Sequence, residues 1–341
     1  MRQKPKPMTT DVQATYREFG GGAGHVLSYE ADFFAEGEEG YVHRVSRYDG
    51  TAYSTLAIKR LKDSTDEHHA RLAGLVGFLK NRDLNTMELA CVPHKLLENT
   101  SSGELALLMR LAPGSDLATS PELPNPSTLD ARLSAAYHLA RAVRRLHDNN
   151  VLIGDLATDN LVLDRENWAI YLIDVDRVGF DNEHPVAIFN DAKGEVAAPE
   201  HRSGVAFIEA MDRWSLAVLG HFLLTGSYPM ALFDLLQRYA DPKLEGIWPP
   251  PSDPRAAGHL SDVQLCGGPC ANLFRLAFGI GRLEQPSERP TARVWEQTLD
   301  DARRHVYECY CRRGEYFVPL TDSGGILPAC ENCGRTIVSR P

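Results

Sequence analysis

Three acidic side chains and one amide side chain follow apolar runs in the middle of the sequence. Asp155 precedes Asn160 by five residues in LIGDLATDNLVLD, and Asp174 and Asp176 follow another apolar run in YLIDVDRVGF. Transfer of a phosphoryl group requires a carboxylate beside the accepting hydroxyl and oxygen ligands for the Mg²⁺ that neutralises a triphosphate. Asp155, Asn160 and Asp174 are of the types that this chemistry uses. We therefore take them as candidate catalytic and metal-binding residues.

A glycine-containing segment and a lysine in the first third of the chain could contact a phosphate. The segment GEEGYV runs from Gly37 to Val42, and glycine lets backbone N–H groups approach a phosphate closely. Lys59 ends the run LAIK and could bring an ammonium group to the same anion. Taken singly, each pattern also fits an ordinary turn or a solvated lysine. Their order along the chain is the informative feature.

The elements that would position these residues change in type along the chain. Residues 1–27 are basic and then rich in glycine, which predicts a flexible N-terminal segment. Residues 28–112 carry short strand patterns and one helical pattern, with Ser64 or Thr65 as its N-cap. Residues 113–300 are mostly helical in pattern. The sequence predicts an α+β fold with a small β-rich lobe, a larger helical lobe and a ligand-binding cleft between them.

Three further motifs, with the segments above, resemble those of the protein kinase family in its bacterial, eukaryotic-like serine/threonine form, over about residues 28–300. AAPEH resembles the end of an activation segment that starts at Asp174, DRWSLAVLGHFLLTGSYPM resembles the Asp-x-Trp-Ser helix, and ERPTA resembles the late Arg-Pro motif. The resemblance implies the bilobal protein kinase fold. It also implies that Asp212 holds the backbone of the catalytic loop and that Arg289 forms a buried ion pair with Glu200.

The resemblance implies a role for each candidate residue in a reaction with ATP. Asp155 would orient the acceptor hydroxyl and accept its proton. Asn160 and Asp174 would bind Mg²⁺ or Mn²⁺, and Lys59 would contact the α- and β-phosphates. Glu67, on the first predicted helix, is the candidate partner of Lys59. A carboxylate in the first turn of a helix is equally well explained by the helix dipole.

The resemblance also implies which residues surround the nucleotide. Gly37, Gly40 and Val42 would belong to the loop that covers the phosphates. The segment LALLMRLAPGSDL resembles the hinge between the lobes, with Met109 as gatekeeper and Leu111 near the backbone that would bind adenine.

The sequence departs from the family pattern at several positions. Ile153 and Gly154 replace the usual His-Arg before Asp155, which removes the receptor for a phosphate on the activation loop and predicts activity independent of loop phosphorylation. Ala157 stands where serine/threonine kinases place a lysine, whose loss weakens stabilisation of the transferred group. Asp176 replaces the glycine of Asp-Phe-Gly, and either adds a carboxylate to the metal site or faces solvent.

Two alternatives to an active protein kinase stay open on these departures. One is a nucleotide-binding pseudokinase that serves as a scaffold. The other is a small-molecule phosphotransferase, because GDLATDN and LIDVD also resemble aminoglycoside phosphotransferases. Those enzymes lack the three later motifs, which favours the protein kinase.

Four cysteines near the C-terminus form two close pairs, which predict a zinc ribbon over residues 301–341. The pairs are Cys309 with Cys311 and Cys330 with Cys333. Four thiolates can hold a structural Zn²⁺ in a segment too short to fold by burial alone. His305 is a substitute ligand, and disulfides or free thiols are the alternatives.

A kinase domain followed by such a ribbon resembles the bacterial kinases of the TerY–phosphatase triad in tellurite and stress response. The resemblance implies two partners, a von Willebrand-type A domain protein and a PP2C-like phosphatase. The net charge of −10 disfavours a nucleic-acid partner, which requires a basic surface. The N-terminus has no apolar segment typical of a signal peptide, and no apolar run reaches the length of a membrane span, so we expect a cytoplasmic protein.

Overall fold

The computed structural model describes most of the chain. The described residues are 11–32, 34–37, 39–62, 65–82, 89–117, 129–181, 184–186, 196–198, 200, 206–226, 228–229, 268–278, 285–308, 315–317 and 338–339. The chain divides into two compact units. The first unit is Met1–Pro113 with Ile173–Asp176, and the second is Gly114–Leu172 with Arg177–Pro341.

The first unit is built on a seven-stranded sheet, and one helix is described in it. Its elements are β1 (Asp11–Glu18), β2 (Gly24–Glu30), β3 (Ala35–Glu36), β4 (Gly40–Tyr48), β5 (Thr51–Leu61), α1 (Asp66–Asn81), β6 (Pro93–Asn99) and β7 (Leu105–Arg110). The strand order is β2-β1-β6-β7-β5-β4-β3, and every pair is antiparallel. Because β2 also pairs with β4, six of the strands close into a ring. The β-rich first part with one helix is as the sequence predicted.

Alternation along the strands sends neighbouring side chains to two separate apolar clusters. Ile58 and Leu108 lie in a first cluster, whereas Ala57 and Leu107 lie in a second cluster that also contains Leu72 of α1. Successive residues of a strand point to opposite faces of the sheet. Lys59 therefore shares its face of the sheet with Ala57 and with the cluster that packs against α1.

The N-terminal residues differ from the prediction of a flexible segment over residues 1–27. Residues 11–18 and 24–30 form β1 and β2, which pair with each other from Asp11↔Glu30 to Arg17↔Gly24. Gly20 and Gly21, with φ of 86° and 94°, belong to the turn between them. Positive φ values are accessible to glycine at little cost, so the glycines here form a hairpin turn.

The described part of the second unit is mostly helical. Its elements up to residue 304 are β8 (Ser115–Asp116), α2 (Leu129–His147), β9 (Val151–Leu152), β10 (Leu161–Asp164), β11 (Ala169–Leu172), β12 (Gly179–Phe180), α3 (Glu209–Thr225), α4 (Gly268–Phe278) and α5 (Ala292–Arg304). Helix α2 packs against α3 and α5. Six apolar residues of α2 recur at helical spacing, and all are buried: Leu133, Ala136, Leu139, Ala140, Val143 and Leu146. Burial of a large aliphatic side chain contributes about 1.5–3 kcal/mol, so this face anchors the unit.

Three short strands follow α5 in the region of the predicted ribbon. They are β13 (Val306–Glu308), β14 (Glu315–Phe317) and β15 (Val338–Ser339), in the order β14-β13-β15. Cys309, Cys311, Cys330 and Cys333 lie outside the described residues. Within the described ranges, no group of three or more His, Cys, Asp or Glu side chains has the arrangement of a metal site. The zinc ribbon stays a prediction.

The long apolar segment SLAVLGHFLLTG belongs to α3, whose residues are buried on nearly all sides. This agrees with its interpretation as a core helix. Of the helices described, none has both the length and the apolar character needed to cross a membrane.

Candidate active site

Lys59 lies at the centre of a group of carboxylates in the first unit. Its Nζ donates hydrogen bonds to Asp174 Oδ1 at 2.5 Å and to Asp176 Oδ2 at 2.6 Å, and Glu39 Oε2 lies 3.5 Å away. The lysine is only 4% exposed. The structure thus brings together Lys59 and Asp174, two candidates 115 residues apart in the sequence.

The carboxylates decide the charge state of this buried lysine. Burial by itself lowers the pKa of Lys59, but attraction by Asp176 and Asp174 more than offsets it and leaves the pKa above its ordinary value. The ammonium is therefore charged at neutral pH. With Glu39, the group has three carboxylates to one ammonium, a formal charge of −2 that favours a nearby cation.

Asp174 has an unusual backbone conformation. Its φ is 59°, in the left-handed region that few side chains other than Asn and Asp adopt. Such conformations are often stored at functional sites, where the surrounding structure holds them. The side chain of Asp174 is 45% exposed, so its carboxylate is accessible to a ligand.

Asp176 is buried, which excludes the interpretation that it faces solvent. It is 3% exposed, and Lys59 is its hydrogen-bond partner. Its second oxygen, Oδ1, has no hydrogen-bond partner among the described residues. A buried carboxylate oxygen without a partner costs free energy, so the contact with Lys59 matters for this residue.

Glu67 does not contact Lys59, contrary to the candidate pairing from the sequence. It lies exposed in the first turn of α1, whose N-cap Thr65 accepts a hydrogen bond from the N–H of His68. An acidic residue there interacts favourably with the helix dipole. The dipole explanation of Glu67 is therefore the one that fits the structure.

The two glycines of the predicted phosphate loop differ in their surroundings. The loop connects β3 to β4, and Gly37 N donates to Gly40 O at 2.9 Å. A Cβ on Gly40 would lie 2.3 Å from the carbonyl oxygen of Arg60, so the sheet itself requires glycine there. A Cβ on Gly37 would meet nothing closer than 4.0 Å. The fold does not explain the glycine at position 37 by steric exclusion.

The residues expected around adenine lie on one apolar cluster of the first unit. Met109 is a buried member of it, and Val42 and Leu111 pack against it. The N–H of Leu111 donates to the carbonyl of Thr55 at 2.9 Å, so this N–H already has a partner within the unit. The apolar side chains are the features that suit an adenine ring.

Asp155 and Asn160 meet in the second unit. Asn160 lies in the 3₁₀ turn Thr158–Asn160, and its Nδ2 donates to both the backbone oxygen of Asp155 at 2.8 Å and its Oδ2 at 2.9 Å. Asn160 is 8% exposed. The amide thus fixes the position of the Asp155 carboxylate, and its own Oδ1 is the atom that could bind a metal.

Asp212 on α3 holds the backbone before Asp155, which confirms the role that the resemblance implied. Its carboxylate accepts hydrogen bonds from the N–H groups of Ile153 at 2.8 Å and Gly154 at 2.9 Å. His147 Nε2, at the end of α2, lies 3.0 Å from the same carboxylate. Sequence reasoning missed His147, whose only signal was its place at the end of an amphipathic helix.

The backbone and surroundings of Gly154, the residue before Asp155, leave no room for a side chain. Its φ is 79°, and a Cβ at this position would lie 2.2 Å from a side-chain carbon of Val186. Both facts exclude ordinary side chains. The packing of this loop therefore favours glycine at position 154.

The predicted ion pair between Glu200 and Arg289 is confirmed. Arg289 Nη1 and Nη2 donate to the two carboxylate oxygens of Glu200 at 2.5 and 2.9 Å, and Nη1 also donates to the carbonyl of Ala210. The arginine side chain is fully buried, with its guanidinium 4.8 Å from the ring centre of Trp214. This bidentate pair connects distant parts of the second unit.

Position 157, where the resemblance would place a lysine, is buried. Ala157 is 2% exposed, and the hydroxyl of neighbouring Thr158 accepts a hydrogen bond from Tyr228 at 3.2 Å. Neither residue supplies a positive charge in place of the lysine.

Sequence comparison finds serine/threonine kinases among the proteins similar to this chain. A candidate serine/threonine-protein kinase of Caenorhabditis elegans is 28% identical over an alignment of 203 positions that covers 53% of this chain and 46% of that protein. Testis-specific serine/threonine-protein kinase 1 of Homo sapiens is 30% identical over an alignment of 136 positions that covers 38% of this chain and 37% of that protein. The chain spans less than half the length of these curated relatives, and no family model matches it. These distant relatives support a kinase-like protein.

Proposed function

We propose that this chain is an ATP- and Mg²⁺-dependent serine/threonine protein kinase that phosphorylates a protein partner. The observation that carries the proposal is the contact of Lys59 with Asp174, at 2.5 Å and 115 residues apart in the sequence. Phosphoryl transfer from ATP uses a lysine that contacts the phosphates and a carboxylate that binds the metal, and a charged lysine beside an accessible carboxylate suits these two tasks. The distant kinase relatives support the same reaction.

The proposed reaction assigns one task to each residue. Asp155, held by Asn160, accepts the proton of a serine or threonine hydroxyl as its oxygen attacks the γ-phosphorus. The bond from that phosphorus to the β-phosphate oxygen breaks, and ADP leaves. Lys59 binds the α- and β-phosphates by its charge. Asp174 and the Oδ1 of Asn160 would hold Mg²⁺, which neutralises negative charge on the triphosphate when bound.

The missing lysine at position 157 sets an expectation for the rate. Without that positive charge, the transferring phosphoryl group is less stabilised, so we expect slower turnover than in kinases that retain the lysine. Nucleotide binding without any transfer would instead favour the pseudokinase scaffold. Transfer to aminoglycosides but not to proteins would favour a small-molecule phosphotransferase.

The wider setting is a proposal from the resemblance alone. We propose that the protein is cytoplasmic, works in a bacterial signalling or stress-response system, and acts with a von Willebrand-type A domain protein and a PP2C-like phosphatase. Zn²⁺ held by the four C-terminal cysteines would make residues 301–341 a docking module. Elemental analysis of protein purified with zinc present tests this, and absence of bound zinc would contradict it.

The kinase proposal is tested by phosphate transfer from labelled ATP to candidate partner proteins with Mg²⁺ or Mn²⁺. Asp155→Asn should lower the rate by about 10²–10⁴-fold, the usual contribution of a general base. Asp174→Asn should abolish transfer, because it removes a metal ligand. Asp66→Asn is the matched control, since this carboxylate is fully exposed in the first turn of α1. Equal transfer by all four proteins would refute the proposal.

A further inference from the structure

We propose that Asp176 is the residue that positions the Lys59 ammonium, in place of a carboxylate on helix α1. This inference rests on the proposed function, because it concerns how Lys59 is held for the phosphates of ATP. Asp176 Oδ2 accepts a hydrogen bond from Lys59 Nζ at 2.6 Å, and the two side chains are 3% and 5% exposed. They form a buried pair in which each charge neutralises the other.

The hydrogen bonds of Asp176 point to this single task. Among the described residues, Lys59 alone donates a hydrogen bond to its carboxylate, and its Oδ1 has no partner. A carboxylate that served the fold would accept hydrogen bonds from neighbouring backbone groups, as Asp212 does from Ile153 and Gly154. Removal of water from a carboxylate is costly unless the opposite charge is close. Lys59 supplies that charge.

The two aspartates around Lys59 differ in exposure, and this difference suits them to different roles. The side chain of Asp174 is 45% exposed, whereas that of Asp176 is 3% exposed. A carboxylate that binds a metal must be reachable by the metal and its water ligands, which Asp174 is. When Asp174 turns toward a cation, Asp176 still neutralises Lys59 and keeps it in place.

Helix α1 offers no carboxylate for this purpose. Its acidic residues are Asp66 and Glu67, both in the first turn and both exposed. The buried carboxylate that contacts Lys59 is therefore that of Asp176, not one carried by α1.

The inference is tested with Asp176→Asn and with Glu67→Gln as the matched control. Both variants replace a carboxylate by an amide of the same shape, one at the buried site and one on α1. We expect Asp176→Asn to raise the KM for ATP, and the Kd of a fluorescent ATP analogue, by about tenfold or more, because Lys59 is no longer held where it meets the phosphates. Glu67→Gln should change neither value by more than about twofold.

A second variant keeps the test valid if Asp176→Asn does not fold. Asp176→Gly removes the carboxylate entirely and should raise the Kd of the fluorescent ATP analogue by a similar factor, and this readout does not depend on activity.

Coupling between the two residues separates positioning from a general structural effect. In the Lys59→Met background, Asp176→Asn should no longer weaken binding of the ATP analogue, because Asp176 acts through Lys59. Unchanged binding of the ATP analogue in Asp176→Asn, or an equal change in Glu67→Gln, would overturn the inference. Failure of the proposed function would be seen separately, as phosphate transfer that does not depend on Asp155, and it leaves the binding result valid.

Discussion

Replacement of Glu200 by glutamine should destabilise the second unit strongly, because it leaves the charge of Arg289 buried without its partner. The guanidinium is fully buried and makes two hydrogen bonds to Glu200, at 2.5 and 2.9 Å. Its Nε already lacks a partner among the described residues. Removal of one member of a buried ion pair costs about 3–5 kcal/mol. That is a large share of the ~5–15 kcal/mol by which a domain is stable.

The double variant Glu200→Leu with Arg289→Met should be more stable than Glu200→Gln alone. Replacement of both charges by apolar side chains of similar size removes the cost of keeping a charge away from water, and such changes are often neutral. A methionine can also pack against Trp214, over which the guanidinium now lies. We expect the wild type and the double variant to have similar free energies of unfolding, and Glu200→Gln to have a much lower one.

Urea denaturation followed by far-UV circular dichroism measures these differences, with equal m-values as the check on a common unfolded state. Asp300→Asn is the control, because the pair of Asp300 with Arg304 on α5 is exposed, at 32% and 70%. Such surface pairs contribute about 0–1 kcal/mol. The reasoning would be refuted if Glu200→Gln lost no more stability than Asp300→Asn. It would also be refuted if the loss of stability in the double variant equalled the sum of the losses in Glu200→Leu and Arg289→Met measured singly.

Three further predictions concern two glycines and a buried histidine. Gly40→Ala should lower the free energy of unfolding by about 1–3 kcal/mol, because its Cβ would lie 2.3 Å from a carbonyl oxygen of Arg60 that belongs to a paired strand. Gly37→Ala should change the free energy of unfolding by no more than about 0.5 kcal/mol but raise the KM for ATP. A loss of stability that accompanied the rise in KM would contradict this prediction. Burial lowers the pKa of His43 below its ordinary value, and its Nε2 has no described partner. The unfolded chain therefore binds more protons as pH falls below about 6.5, so stability should drop from pH 7 to pH 5, with a smaller slope in His43→Gln.

Motifs that depend on local sequence and order were predictable. The apolar face of α2 follows from its helical spacing, and Asp212 and Arg289 were placed from the order of motifs along the chain. The structure gives both residues the expected partners. Asp212 lies on the long helix α3 and Arg289 lies just before the long helix α5, which is why sequence order suffices to place these two residues.

The partner of Lys59 could not be predicted, because it depends on how deeply each carboxylate is buried. Glu67 and Asp176 both carry a carboxylate, and the sequence does not show which of them is buried. In the structure, Glu67 lies in an exposed helical turn and Asp176 is 3% exposed. Strands β1 and β2 were missed for a related reason. Tyr16 is the one fully buried side chain of β1, so the strand carries little apolar alternation, and its glycine-rich turn has the composition of a linker.

The closed ring of strands in the first unit protects it from association through sheet edges. An unpaired strand edge offers N–H and C=O groups to another chain. Here β1 covers β6, and β2 covers β4, so the N-terminal hairpin conceals two edges that would otherwise be open. A chain cut back to residue 31 would expose both, and its solubility would then depend on the charges that remain along them.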